Sequence, residues 1–214
     1  MKASGVGEIY LPVSKKISTP KTPAGKSELA RLREEVIGCT KCAELVHGRH
    51  SVVFGSGNPE AQLLFVGEAP GAEEDRQGLP FVGPAGQLLT KMINAIGLSR
   101  EEVFIANVLK CRPPGNRTPK PGEIANCSPY LSKQISIIGP RLICALGTFA
   151  AQTILKTTTP ISSLRGKVHQ YEGIPVICTF HPSYLLRSPG EKRKAWEDLK
   201  KVRALLDEMT SENE

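Results

Sequence analysis

Four short apolar runs, at 63–66, 103–109, 142–146 and 176–180, constrain this chain more than any other feature. Each is nearly continuous, whereas a strand with one wet face alternates apolar and polar residues. Continuous runs of this length belong to parallel strands covered on both faces. Between them the apolar residues recur at helical spacing. Leu88, Leu89, Met92, Ile93 and Ile96 share a face before Gly97, and Ile124, Cys127, Leu131 and Ile135 form a second stripe. A short helix over 148–155 and a last one lined by Trp196, Leu199, Val202 and Leu206 complete the series. The alternation predicts a three-layer α/β/α sandwich around a central, mostly parallel four-stranded sheet. In such sheets ligands gather at the carboxyl ends of the strands. Here the first, second and last runs lead into polar turns rich in Gly and Pro.

The 214 residues suit a single domain. Residues 1–26 read as a flexible basic extension, with Lys15, Lys16, Lys21 and Lys26 set among Pro, Ser and Thr. Residues 27–214 read as the folded domain, opened by a helix that Ser27 caps and that buries Leu29, Leu32 and Val36. No run of about 18 apolar residues is present, so no membrane span is expected. The first residues lack the apolar core of a secretory signal. A cytoplasmic protein is expected. Lys and Arg outnumber Asp and Glu by 28 to 21, a net charge of +7 that suits a polyanionic partner.

Six cysteines divide into two groups. Cys144 and Cys178 lie inside apolar runs and read as small buried hydrophobes. Cys39 and Cys42 form a Cys-x-x-Cys pair after the first helix, Cys111 ends the strand that the second apolar run forms, and Cys127 follows a Pro-rich connection. Four such thiolates suit a soft metal. All-cysteine zinc sites use two tight pairs, whereas a cubane iron–sulfur cluster tolerates a spread second pair. Spacing alone leaves both open.

The turns at the strand ends carry the remaining signals. After the first run comes Gly67-Glu68-Ala69-Pro70-Gly71, with Glu73, Glu74 and Asp75 close behind. This acidic turn is a poor phosphate cradle, but Glu68 stands where a side chain can point into a site. Phe81 sits in a rigid turn, either as a core plug or as a plate for a flat base. Asn107 ends the second run, and an amide there must find partners in protein or ligand. The last run ends in His181-Pro182-Ser183-Tyr184, followed by Leu185, Leu186 and Arg187. His181 is either a satisfied structural histidine or a donor to developing negative charge. The mixture of apolar and cationic residues after it suits a wedge in a minor groove.

Together these stretches resemble the family 4, iron–sulfur uracil-DNA glycosylases. The likeness rests on Gly67-Glu68-Ala69-Pro70-Gly71, Gly78-Leu79-Pro80-Phe81-Val82-Gly83-Pro84, Asn107 to Cys111, Cys111-Arg112-Pro113-Pro114 through Cys127, and His181-Pro182-Ser183-Tyr184. It implies a 4Fe–4S cluster on Cys39, Cys42, Cys111 and Cys127, and excision of uracil from DNA. Phe81 would stack on the flipped base, Asn107 would read its Watson–Crick edge and His181 would bond uracil O2. Glu68, Ala69 and Pro70 would hold the base and the attacking water, and Leu185, Leu186 and Arg187 would contact DNA.

The best-known branch of the superfamily places a water-activating Asp where Ala69 stands, so that role would pass to Glu68 or Glu74. A related branch traps its product through a His in an Arg-rich insertion. Residues 112–126 contain no His, so turnover is expected. Uracil-containing DNA is then the expected partner, with the protein nucleoid-associated when on DNA, and a monomer is expected. Two other functions compete: an iron–sulfur electron carrier, which needs no strand-end constellation, and a non-enzymatic DNA-binding accessory factor, which would release no base.

Overall fold

In the computed structural model, which describes residues 23–211, the four apolar runs form the centre of one sheet. In chain order the elements are α1 (Pro23–Ile37), α2 (Ala43–Gly48), β1 (Ser56–Gly57), β2 (Leu63–Gly67), α3 (Ala72–Gln77), α4 (Pro84–Ala95), β3 (Phe104–Asn107) and α5 (Pro121–Ile138). They continue with β4 (Leu142–Leu146), α6 (Thr148–Leu155), α7 (Ile161–Leu164), β5 (Val168–Tyr171), β6 (Ile174–Thr179), α8 (Pro182–Arg187) and α9 (Lys192–Ser211). The strand order is β1-β3-β2-β4-β6-β5, with the four central strands parallel.

The sheet has six strands, which corrects the expectation of four. The two extra strands are antiparallel edges. β1 is only two residues long, and β5 leaves Val168 54% exposed, so neither writes an apolar run. β5 turns into β6 through Glu172 and Gly173, both at positive φ (49° and 86°), as a tight two-residue hairpin requires.

Successive residues of each central strand feed opposite layers, because side chains alternate across a sheet. Leu63, Phe65, Ile105, Cys144 and Ile177 pack toward α4 and α9, where Leu89, Ile93, Leu199 and Val202 meet them. Leu64, Val66, Ala106, Ile143 and Val176 pack toward α1, α5 and α6, onto Leu32, Val36, Leu131 and Ala151. Cys144 and Cys178 are fully buried in these layers. Burial, with Asp198 adding to the effect, pushes the Cys178 thiol up to about 12.

Two helices differ from the sequence expectation. α1 begins at Pro23, ahead of Ser27, so the described part of the proposed extension is helical, and residues 1–22 lie outside the described residues. Trp196 is 39% exposed, and Ala195 takes its place on the buried stripe of α9. Among the described residues no helix is long and apolar enough to cross a membrane.

Candidate active site

β2 and β3 end side by side, with Gly67 paired to Asn107. The Asn107 side chain is buried, and its Oδ1 has no hydrogen-bond partner among the described residues. An orphaned buried acceptor costs about 1–3 kcal/mol, which a ligand donor can recover. Gly67 makes the arrangement possible. A Cβ there would stand 2.4 Å from Asn107 Oδ1 and 2.5 Å from Phe81 Cζ.

Phe81 is held from both sides. Its backbone lies at φ 52°, unusual for a non-glycine residue. Arg100 donates to the carbonyls of Phe81 (3.0 Å) and Pro80 (2.9 Å). On the other side a Cβ on Gly86 would fall 1.9 Å from the Phe81 carbonyl oxygen. The Phe81 and His181 rings are 5.7 Å apart, tilted by 35°.

His181 caps α8. Its Nδ1 accepts from the Ser183 backbone N–H at 3.1 Å, with the Ser183 hydroxyl 2.8 Å away. Accepting at Nδ1 puts the proton of the neutral ring on Nε2, which is then the donor. Burial pushes the His181 pKa down to about 4, Arg187 acting in the same direction and Glu74 against it. The ring is therefore neutral at physiological pH. Beneath it, Thr179 donates to the fully buried Asp198 at 2.8 Å. Arg165 clamps that carboxylate at 3.0 and 3.1 Å while lying over the Phe180 ring.

The carboxylates of the acidic turn do different work. Glu74 accepts from the backbone N–H groups of Gly71 (3.1 Å), Val82 (2.9 Å) and Gly83 (2.9 Å). It thereby staples the start of α3 to the turn that carries Phe81. Asp75 accepts from His50 and Ser51, tying in the segment after α2. Glu73 is spent on exposed Arg76. Glu68 is half-buried with no hydrogen bond to its carboxylate among the described residues, and burial raises its pKa.

Glu68, Ala69, Pro70, Phe81, Asn107 and His181 all line one cleft of about 730 Å³, which Glu74 also borders. The chain has counterparts among known proteins. The profile of the Uracil DNA glycosylase superfamily matches residues 54–200. The type-4 uracil-DNA glycosylase of Sulfurisphaera tokodaii is 46% identical over 186 residues, covering 83% of this chain and 84% of that one. Those of Archaeoglobus fulgidus and Thermotoga maritima are each 46% identical, covering 78% and 81% of this chain and 88% and 92% of theirs. The chain belongs to the type-4 uracil-DNA glycosylases.

The α8 end of this glycosylase corrects one expectation. Leu185 is 1% exposed and packs in the core, so it does not form a surface wedge with its neighbour. Leu186 is 43% exposed and Tyr184 37%. Arg187 is exposed at the rim of the cleft.

The four remaining cysteines line a small hollow of their own. Among the described residues no three His, Cys, Asp or Glu side chains stand ready to hold a single metal ion. Three of the four sulfurs nevertheless meet a donor. Arg49 donates to Cys111 at 3.1 Å, the Lys110 backbone N–H to Cys127 at 3.3 Å, and Asn126 to Cys42 at 3.5 Å. Donors of this kind favour thiolates. Burial opposes them, pushing the Cys127 thiol up to about 11. The chain between Cys111 and Cys127 sends Pro113, Asn116 and Arg117 back to the cleft. Arg117 is itself held by Glu123 and Glu44.

Sequence reasoning missed the Arg100 clamp, the clearance at Gly86 and the stapling role of Glu74. The first two act on backbone carbonyls, Arg100 across 19 and 20 residues and Gly86 across five, and such contacts leave no mark on residue pattern. For Glu74 there was a signal, since Glu three residues after Gly71 fits a helix-capping spacing.

Proposed function

We propose that the cleft receives a uracil swung out of DNA and that the chain hydrolyses its N-glycosidic bond, leaving an abasic site. The observation that carries this reading is the orphaned Asn107 amide oxygen, facing the cleft that Phe81 and His181 also line. An amide held there can accept from uracil N3–H and donate to O4, while cytosine presents the reverse pattern. Phe81 stacks on the base. The His181 Nε2–H donates to uracil O2, where negative charge grows as the glycosidic electron pair passes to the leaving base.

A water must add to the sugar carbon as that bond breaks. Both Glu74 oxygens are committed to backbone N–H groups, so the water falls to Glu68, with Ala69 and Pro70 shaping the turn around it. Extrusion favours uracil in a mispair, which unstacks most cheaply. Arg187 and Leu186 lie where the DNA would run. The chain acts as a monomer on uracil-containing DNA.

Cys39, Cys42, Cys111 and Cys127 would hold a 4Fe–4S cluster. Their shared hollow, their all-thiol donor set and the donors to three of the four sulfurs fit that group. Bound, it supplies a structural cross-link. The chain's own part is to fix the segment between Cys111 and Cys127 against the rim of the cleft.

The test is incubation with a uracil-containing oligonucleotide followed by alkaline cleavage. Strand scission at the uracil supports the reading. Binding with steep salt dependence but no free uracil would replace it with the accessory-factor reading. Reversible cluster reduction without excision would favour the electron carrier.

A further inference from the structure

Among the described residues Lys110 is the one buried cation, 1% exposed. Its ammonium folds back along its own strand end to donate to the Asn107 carbonyl at 2.7 Å. It also donates to Gln134 Oε1 at 2.6 Å, and fully buried Gln134 in turn donates to the Phe54 carbonyl at 2.9 Å. The Lys110 backbone N–H bonds the Cys127 sulfur, and its carbonyl accepts from Val53 at 2.8 Å. Residues 107–111 thus carry the base-reading amide at one end and a cysteine of the sulfur hollow at the other.

Both acceptors of the ammonium are neutral. Among the described residues no carboxylate bonds it. A buried cation without an anion is costly. Cys111 follows Lys110 in the chain and Cys127 accepts from its backbone N–H, so thiolates around an iron–sulfur cluster would bring net negative charge to this position. We propose that Lys110 is a positioning residue that couples the cysteine hollow to base reading. Anchored by Gln134, its ammonium fixes the Asn107 carbonyl and so the aim of the Asn107 amide, and its counter-charge is the cluster-bearing tetrathiolate. The inference rests on the glycosylase reading of the cleft.

Three full-chain variants test it. Lys110→Met keeps the length of the side chain and removes the charge. We expect unchanged iron per protein, KM within about twofold of wild type, single-turnover excision lower by about 10–100-fold, and a more negative cluster reduction potential. Gln134→Met keeps the ammonium but frees it from its anchor, lowering the excision rate with little change in potential. Gln134→Glu gives the ammonium a protein carboxylate, so stripping the iron lowers the melting temperature less than it does in wild type.

A Lys110→Met protein with wild-type rate and potential overturns the inference, as does iron-free wild-type protein. Should Lys110→Met fail to fold, the Glu variant decides, and an iron-stripping loss equal to wild type overturns the coupling. Uracil release by wild type is a separate result. Its absence removes the glycosylase reading, while the potential and melting comparisons still judge the link between Lys110 and the cluster.

Discussion

The cleft and the cysteine hollow lie at the two ends of residues 107–111, yet they satisfy their polar groups in different ways. In the cleft, Asn107 Oδ1 has no donor, Phe81 is held at φ 52° and the Glu68 carboxylate is free of hydrogen bonds among the described residues. Around the hollow three of the four sulfurs have a donor, and the ammonium of Lys110 is short of an anion rather than of hydrogen bonds. The first pattern suits a guest that comes and goes, since the missing partner is supplied once per turnover. The second suits a permanent resident. Substitutions should separate the two accordingly.

The largest effect is expected at His181. His181→Ala should lower single-turnover excision by about 10²–10³-fold, the usual loss of one preorganised donor, with iron content unchanged. A similar fall in iron would erase the distinction between the regions. Next comes Glu68→Gln, lowering the rate by about 10²-fold. Its pH profile sharpens the assignment. Burial raises the Glu68 pKa, and the carboxylate must be charged to hold the water. Activity should therefore fall with decreasing pH through a range above that of an ordinary glutamate, and the variant should lack this limb. His181, neutral down to about pH 4, should add no limb near 6.5.

A smaller change is expected for Asn107→Asp, which should narrow the preference for uracil over cytosine by about tenfold, as one or two mismatched hydrogen bonds would. Competing oligonucleotides measure it. In the hollow, Cys127→Ala should strip iron and lower the melting temperature by several degrees, with a smaller loss of rate per folded molecule than at His181. Smallest is Leu186→Ala, a change of a few-fold in DNA affinity with stability intact. Leu185→Ala should instead cost about 2–5 kcal/mol of stability, as for other buried leucines.

The central sheet was legible because strands covered twice must be written in unbroken apolar residues, and β2 and β4 are buried at every position. The edges were not. β5 sets His169 and Gln170 between Val168 and Tyr171 and buries only Tyr171, and β1 is too short to leave a pattern. Asn107 and His181 stood out by their strand-end positions and Phe81 by its rigid Pro/Gly turn, and all three line the cleft. The same logic failed at Leu185, where His181 and Pro182 start α8 and the new helix turns that side chain inward. Lys110 was invisible as a functional residue. A lysine beside a cysteine looks like surface until the fold places Gln134, far along the chain, over its ammonium.

Gly67 and Gly86 contribute to the cleft through atoms they lack. A survey that trims side chains to alanine has nothing to trim at either position and would pass both over. Only adding a methyl group reveals them. Gly67→Ala would push the Phe81 ring and the Asn107 amide apart, and Gly86→Ala would drive the Phe81 turn outward. The emptiness at these two positions is as much a part of the base receptor as any group that touches the base.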